Sequence, residues 1–389
     1  MRVGSPGDAG RESHVVGISS GVVDPRRTRG GLDGIGTYTE ALLAHVERPG
    51  LAVKRVDTTH VSAHGLAFPR HADVPLAIPL PITIALGAFA HARTPGCRGL
   101  ERAVDLYHAT DYMVPRLRRT PVVATVYDAI PIVHPQWANQ RLRGFKNWLL
   151  AQSVRNADRV IAISEAGRDE VVSSYGIRAE RTRVIPLGID DAWFEPVDER
   201  AMQSTLLRRQ LEPGYFLFVG TLQPRKNVEA LLDAYEALPP TIRRKRQLVI
   251  IGKYGWNAEI LRRRLEDARR ENRCVWLDYV PRQEIYQLYA GAGTFVFPSL
   301  AEGFGLPVLE ALAKGLPIIA NDLPVLRDLG AHLVAYVDAR DTKALTDAMA
   351  SLPQMSADET GRAMRMAHAM PYTWSACAER TVAVYRELW

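Results

Sequence analysis

The chain is poor in cysteine. Its 389 residues hold three, Cys97, Cys274 and Cys377, far apart and without a CxxC pair. An odd, scattered set argues against a disulfide framework or a zinc site and points to a reducing compartment. Long apolar runs are lacking too. The nearest approach, Val74–Ala90, is interrupted by Pro75, Pro79 and Pro81 and is too short to span a bilayer. It reads as a core helix or a surface-inserting element. Met1–Arg11 is rich in Gly, Pro and charge and has no apolar centre, so no signal peptide is expected. There is no repeat, no low-complexity tract and no paired-Asp motif for a divalent cation. Basic and aromatic residues do not interleave as in nucleic-acid binders, so no nucleic-acid partner is expected.

What is present is ordinary globular composition, with 47% hydrophobic and 24% charged residues. That length and composition suit two domains with two cores. The formal net charge is +6. It is uneven: residues 1–160 hold 20 Lys and Arg against 13 Asp and Glu. The basic excess there either faces an anionic partner or is a solvated surface.

Short apolar runs alternate with amphipathic stretches. Strands are predicted at Val15–Ser19, Ala52–Val56, Leu106–His108, Val122–Val126, Val160–Ile163 and Arg183–Pro186. Helices are predicted at Thr37–His45, Arg141–Ala157 and from Glu165 to about Tyr175, the last capped by Ser164. The alternation then repeats. Strands Tyr215–Val219, Gln247–Ile251, Val275–Leu277, Thr294–Phe297 and Pro317–Ala320 are interleaved with helices Asn227–Ala237, Ala258–Asn272, Gln283–Ala290 and Leu306–Ala313. Strict β/α alternation predicts an α/β protein of two doubly wound, mostly parallel sheets covered by helices. The boundary is expected near Glu195–Pro213, a charged stretch without a β pattern. Such sheets bind ligands beyond the carboxyl ends of their strands, so a cleft between two facing domains is the expected site.

Three segments carry the chemistry. In Phe297–Glu310 (FPSLAEGFGLPVLE) a strand runs into a loop with Glu302, Gly303 and Gly305, then a helix with Pro307 in its first turn. The helix start offers free N–H groups and a positive dipole end to a phosphate or hydroxyl. A carboxylate such as Glu310 accepts two bonds from a vicinal diol, as in a ribose. In Val219–Asn227 (VGTLQPRKN), Gly220 and a short loop precede Arg225 and Lys226 at a helix start. Two cations there oppose the helix dipole, and a bound diphosphate would offset the repulsion. In Arg29–Tyr38 (RGGLDGIGTY), a Gly-rich loop lets backbone approach a phosphate or sugar. It lacks GxGxxG spacing, which disfavours a dinucleotide site.

These segments together resemble glycosyltransferase family 4, the retaining sugar-nucleotide transferases of the GT-B fold. Tyr107-His108-Ala109, Tyr127–Pro131, Ile161–Glu165 and Ile185–Asp190 fit the same family, and the resemblance covers nearly the whole chain. It implies an acceptor-binding Rossmann-like domain over 1–205 and a donor-binding one over 206–371. A final helix in 372–389 would return to the first. It implies that Arg225 and Lys226 bind the donor diphosphate and that Glu310 holds the ribose. Glu302 and the backbone of Gly303, Phe304, Gly305 and Leu306 would contact the transferred sugar. Gly34, Ile35 and Gly36 would close on the phosphates, with Gly220 beside them, and Lys253 and Val280 would frame the base.

One departure stands out: the family usually has His before Asp at the strand end after Val122–Val126, and here Tyr127 precedes Asp128. Asp128 or His134 is expected to take over at the sugar, with Tyr127 either a sugar contact or a core aromatic. No cofactor and no metal are expected beyond a nucleotide-diphosphate sugar. GDP-mannose is favoured because the segments around Asp128 resemble bacterial mannosyltransferases of surface-polysaccharide assembly; UDP- or dTDP-sugars are the alternatives. The acceptor is expected to be a glycan or lipid-linked oligosaccharide at the cytoplasmic membrane face. Phe145, Trp148 and Leu149, beside Arg141, Arg143 and Lys146, form either a peripheral membrane contact or a packing helix. A non-catalytic nucleotide-sugar-binding protein is the reading from another class.

Overall fold

The computed structural model describes residues 13–24, 33–58, 73–76, 80–89, 94–137, 143–255, 259–271, 273–352 and 359–389. The Arg29–Leu32 part of the glycine segment, Arg141 and Met1–Arg11 lie outside the described residues.

Two parallel sheets form the frame. The first holds β1 (His14–Ser19), β2 (Leu51–Asp57), β3 (Val74–Pro75), β4 (Leu106–Ala109), β5 (Val122–Val126), β6 (Arg159–Ala162) and β7 (Thr182–Val184), in the order β3-β2-β1-β4-β5-β6-β7. The second holds β8 (Tyr215–Val219), β9 (Leu248–Ile251), β10 (Val275–Leu277), β11 (Ala292–Phe297), β12 (Ile318–Asn321) and β13 (Ala335–Val337), in the order β10-β9-β8-β11-β12-β13. Every pairing is parallel. Central strands read as unbroken apolar runs because helices cover both faces. All five residues of β5 and all six of β11 are buried. Each order reverses at one place, between β1 and β4 and between β8 and β11, so the crevices open there.

Two expectations are corrected. Gly34-Ile35-Gly36 is not loop but the first turn of the Gly34–His45 helix. The reason is Asp33, whose carboxylate accepts from Gly36 N at 2.8 Å and starts the helix three residues before Thr37. The stretch near Glu195–Pro213 is no bare linker: it contains the Glu199–Arg208 helix, with Thr205 and Leu206 buried. Thr205 Oγ1 donates to Gln287 Oε1 at 2.6 Å, tying that helix to the second sheet's helices. Within Val74–Ala90, Leu80–Phe89 is helical, burying Leu80 and Ile84 while Ile82 is 54% exposed. The structure adds the Pro324–Gly330, Thr342–Ser351 and Glu359–Ala369 helices and β13 beyond the predicted set.

The last helix, Trp374–Arg386, packs on the Gly34–His45 helix of the first half. Its entry is fixed by Ile189 N donating to Tyr372 O at 3.0 Å. A buried polar chain secures it. His108 Nδ1 meets Tyr385 Oη at 2.7 Å and its Nε2 meets Thr125 Oγ1 at 2.8 Å. Burial drives the imidazole pKa down to about 3, so the ring is neutral there.

Candidate functional site

The site forms where the β8 and β11 ends meet. Pro224–Lys226 is a single tight helical turn, and Asn227, with φ 54°, turns the chain into the Val228–Ala237 helix. This places two cations before a helix start, where the dipole disfavours them. The offset comes from Glu302 on the neighbouring strand's loop. Lys226 Nζ donates to Glu302 Oε1 at 2.6 Å, and Arg225 Nη1 lies 3.2 Å from Oε2. Arg225 Nη1 also donates to Ala301 O at 2.8 Å, and Leu300 N donates to Arg225 O at 2.7 Å. The side chains of Lys226 and Glu302 are each 8% exposed, which makes the pair close to interior. Burial pushes the Glu302 carboxyl up, but Lys226 and Arg225 outweigh it and hold the group below the usual carboxylate range.

Glu302 is followed by a glycine-dependent turn. Gly305 has φ 102°, a left-handed conformation that glycine adopts freely, and precedes the Leu306–Ala313 helix. Glu310 lies in this helix and accepts from Tyr289 Oη at 2.8 Å. Its carboxyl is pushed up to about 7 by burial, with Tyr289 and Arg282 pulling the other way.

The first half meets this cluster through the β5 and β6 ends. Gly303 abuts Tyr127: a Cβ on Gly303 would stand 2.3 Å from the Tyr127 carbonyl oxygen and 3.3 Å from Asp128 Cβ. Ser164 Oγ donates to Gly303 O at 3.0 Å while accepting from Gly167 N, its own helix cap. Asp328, from the Pro324–Gly330 helix, accepts from Ala166 N at 2.9 Å in the first turn of the Glu165–Tyr175 helix. Asp128 Oδ1 accepts from Ile130 N at 3.0 Å, and burial raises its carboxyl to about 6 against the pull of Arg225. A cleft of about 200 Å³ between the halves is lined by Ile130, His134, Gly167, Glu170, Leu300 and Glu302, among others.

The structure thus lines one cleft with Glu302 and His134, pairs Arg225 and Lys226 with Glu302, and sets Gly303 against Tyr127 and Asp128. The Tyr127 backbone lies there, but its ring does not. The phenol is 6% exposed, donates to Thr110 O at 2.8 Å and packs edge-on to Tyr38 and Tyr112. This corrects the sugar-contact alternative in favour of a core aromatic. Phe304, 6% exposed, is likewise buried. Gly220 passes 3.8 Å from Lys226 through the position its Cβ would take. Lys253 and Val280 sit apart, beyond the β9 and β10 ends, with Lys253 Nζ 5.5 Å from the Tyr279 ring centre. Gly34 to Gly36 remain on the first half, at the start of a helix. Ser164, Tyr289 and Asp328 were missed as site residues. Ser164 carried a signal, its cap position at a strand end; its second bond needs the other half. Among the described residues no group of three His, Cys, Asp or Glu is arranged to hold a metal, and no helix is long and apolar enough to cross a membrane.

Comparison with known proteins fits this geometry. Residues 203–367 match the family model of glycosyl transferases group 1, and residues 32–193 match that of glycosyltransferase family 4. The chain is similar to the O-antigen chain mannosyltransferase B of Escherichia coli, 30% identical over 286 residues, 73% of this chain and 74% of that protein. It is similar to the O-antigen chain mannosyltransferase RfbU of Salmonella typhimurium, 25% identical over 246 residues, 63% of this chain and 64% of that protein. Among solved structures, sucrose-phosphate synthase from Thermosynechococcus elongatus superposes with TM-score 0.71 at 20% identity, covering 96% of this chain and 99% of that one. An Anabaena protein, HepE, in complex with UDP-glucose superposes with TM-score 0.68 at 17% identity, covering 96% and 99%. At those identities the two structures show the shared fold.

Proposed function

The chain belongs to glycosyltransferase family 4, with the two-sheet GT-B architecture, and from that premise we propose that it transfers mannose from GDP-mannose to a glycan or lipid-linked oligosaccharide in surface-polysaccharide assembly. The mannosyltransferase names of the two bacterial relatives support the sugar. The observation that carries the donor site is the Arg225, Lys226 and Glu302 cluster at the β8/β11 crevice.

In this reading Arg225 and Lys226 neutralise the donor diphosphate, and Glu302 holds both cations in place. Charge develops on the leaving phosphate, where preorganised donors lower the barrier most. The Leu306–Ala313 helix start and the Gly303–Leu306 backbone face the sugar and its phosphate, and Glu310 takes the ribose diol. Gly34–Gly36 offers a second helix start to the phosphates from the other half. Transfer proceeds with retention: the acceptor hydroxyl attacks on the face the diphosphate leaves, and a phosphate oxygen takes its proton. Asp128, with its carboxyl near 6, orients a sugar hydroxyl, and His134 lines the acceptor side. The reaction then needs no metal, because the two cations do that work. Stacked Phe145 and Trp148, exposed beside Lys146, form the surface proposed to rest on anionic lipid at the cytoplasmic face.

Thermal shift with GDP-mannose, UDP-glucose, UDP-N-acetylglucosamine and dTDP-rhamnose, with and without EDTA, tests this. Stabilisation of about 2.7 kcal/mol at 100 times Kd is expected for GDP-mannose, unchanged by EDTA. It should be lost in Arg225→Ala. A shift with another nucleotide alone would replace the donor, and no shift with any would remove the reading.

A further inference from the structure

A nucleotide whose diphosphate lies at the β8/β11 crevice must extend over one flank of the second sheet. The β12 flank faces the other half, where Asp328 caps the helix containing Ala166, and its open space is the cleft assigned above to the sugar and acceptor. Among the described residues the β9/β10 flank is open. There Tyr254 and Tyr279 are 37% and 59% exposed, and Lys253 reaches over the Tyr279 ring. Asp278 follows β10 directly, and because Leu277 pairs with Ile251, it stands beside Gly252 at the end of β9. It is exposed and makes no hydrogen bond or ion pair among the described residues.

We infer that Asp278 reads the base of the donor and selects guanine. The inference rests on the donor site proposed above and names its specificity residue. The pairing edge of guanine presents two adjacent donors, N1–H and the N2 amino group, which match the two oxygens of one carboxylate. Uracil and thymine present one N–H between two carbonyl oxygens, and those oxygens repel a carboxylate. Adenine presents a donor beside an acceptor. The tyrosine rings at the same flank stack any base and do not discriminate. Selection therefore falls to the carboxylate.

Calorimetric titration of GDP and UDP into wild type, Asp278→Asn and Arg225→Ala decides the matter. Wild type is expected to bind GDP at least about tenfold more tightly than UDP. Asp278→Asn should weaken GDP by about 10- to 100-fold, the scale of one bidentate base contact. It should leave UDP unchanged or tighter, because an amide matches the uracil N3–H and O4 pair. Its melting temperature should equal wild type, since the side chain is exposed and unpartnered. Arg225→Ala should weaken both nucleotides and preserve their ratio. An unchanged GDP to UDP ratio in Asp278→Asn, or a wild type that prefers UDP, overturns the inference and leaves the donor site standing. No nucleotide binding by wild type, or full binding by Arg225→Ala, overturns the donor site itself.

Discussion

Replacing Gly303 with alanine puts one methyl group between the two halves. Its carbon would stand 2.3 Å from the Tyr127 carbonyl oxygen, against 3.4 Å or more in ordinary contact, so the gap must widen by about 1 Å. The obstructing atom is backbone, so no side-chain rotation relieves it. Widening breaks the Ser164–Gly303 hydrogen bond, about 0.5–1.5 kcal/mol. More important, it moves Asp128 and His134 away from Glu302, and at groups proposed to act on the sugar a displacement of about 1 Å costs on the order of 100-fold in rate. The clash meets one backbone carbonyl at the cleft and leaves both sheets paired, so the melting temperature should change little. Donor Kd should change less than kcat, because the cations and Glu310 belong to the second half and only the Gly34–Gly36 helix start reaches the phosphates from the first. The assay is sugar transfer from the proposed donor, with kcat and donor Kd measured separately. Wild-type kcat in Gly303→Ala would refute the view that this contact sets the working geometry, and a collapse of donor binding would refute the assignment of most of the binding to the second half.

Glu310 should make donor affinity pH-dependent. With a folded pKa of about 7 against an ordinary 4.5, the folded protein keeps a proton the unfolded chain has lost, so this group's stabilisation is full below about pH 4.5 and is lost as pH rises through 7. In the proposed site ribose hydroxyls donate to the ionised form, so affinity for the proposed donor GDP-mannose should rise between pH 6 and 8, and Glu310→Gln should flatten the profile in calorimetric titrations. Removing the ammonium in Lys226→Met leaves the near-buried Glu302 with Arg225 alone. Stability should fall by about 2–3 kcal/mol in chemical denaturation, and adding Glu302→Gln should recover part of it.

Much of this was legible locally. The period of apolar residues gave β5, β8 and the Leu306–Ala313 helix with their bounds. Ser164 was readable as a cap because capping is a contact over three residues. Pro324 at a helix start and Asp341 as a cap bonding Lys343 N and Ala344 N were equally local signals for helices outside the predicted set. What local pattern could not supply was strand order. Glu302 meets Lys226 across 76 residues only because β11 lies beside β8, and no nearby residue encodes that neighbour. The same holds for Tyr127, whose aromatic ring and strand-end position suit a core or a cleft equally until Thr110 and Tyr38 are in place.

The chain crosses between the halves twice, near Ile189 and near Tyr372, and the two crossings are bonded to each other by Ile189 N and Tyr372 O. Gly188 is pressed against Thr373 so closely that a Cβ would lie 2.2 Å from its carbonyl carbon. Two tethers clamped side by side resist sliding and twisting far more than bending. The halves are thereby joined at two separated places, this clamp and the Ser164–Gly303 and Ala166–Asp328 bonds at the cleft, and the lever between them would turn a small rotation at the clamp into a large change in the width of the gap.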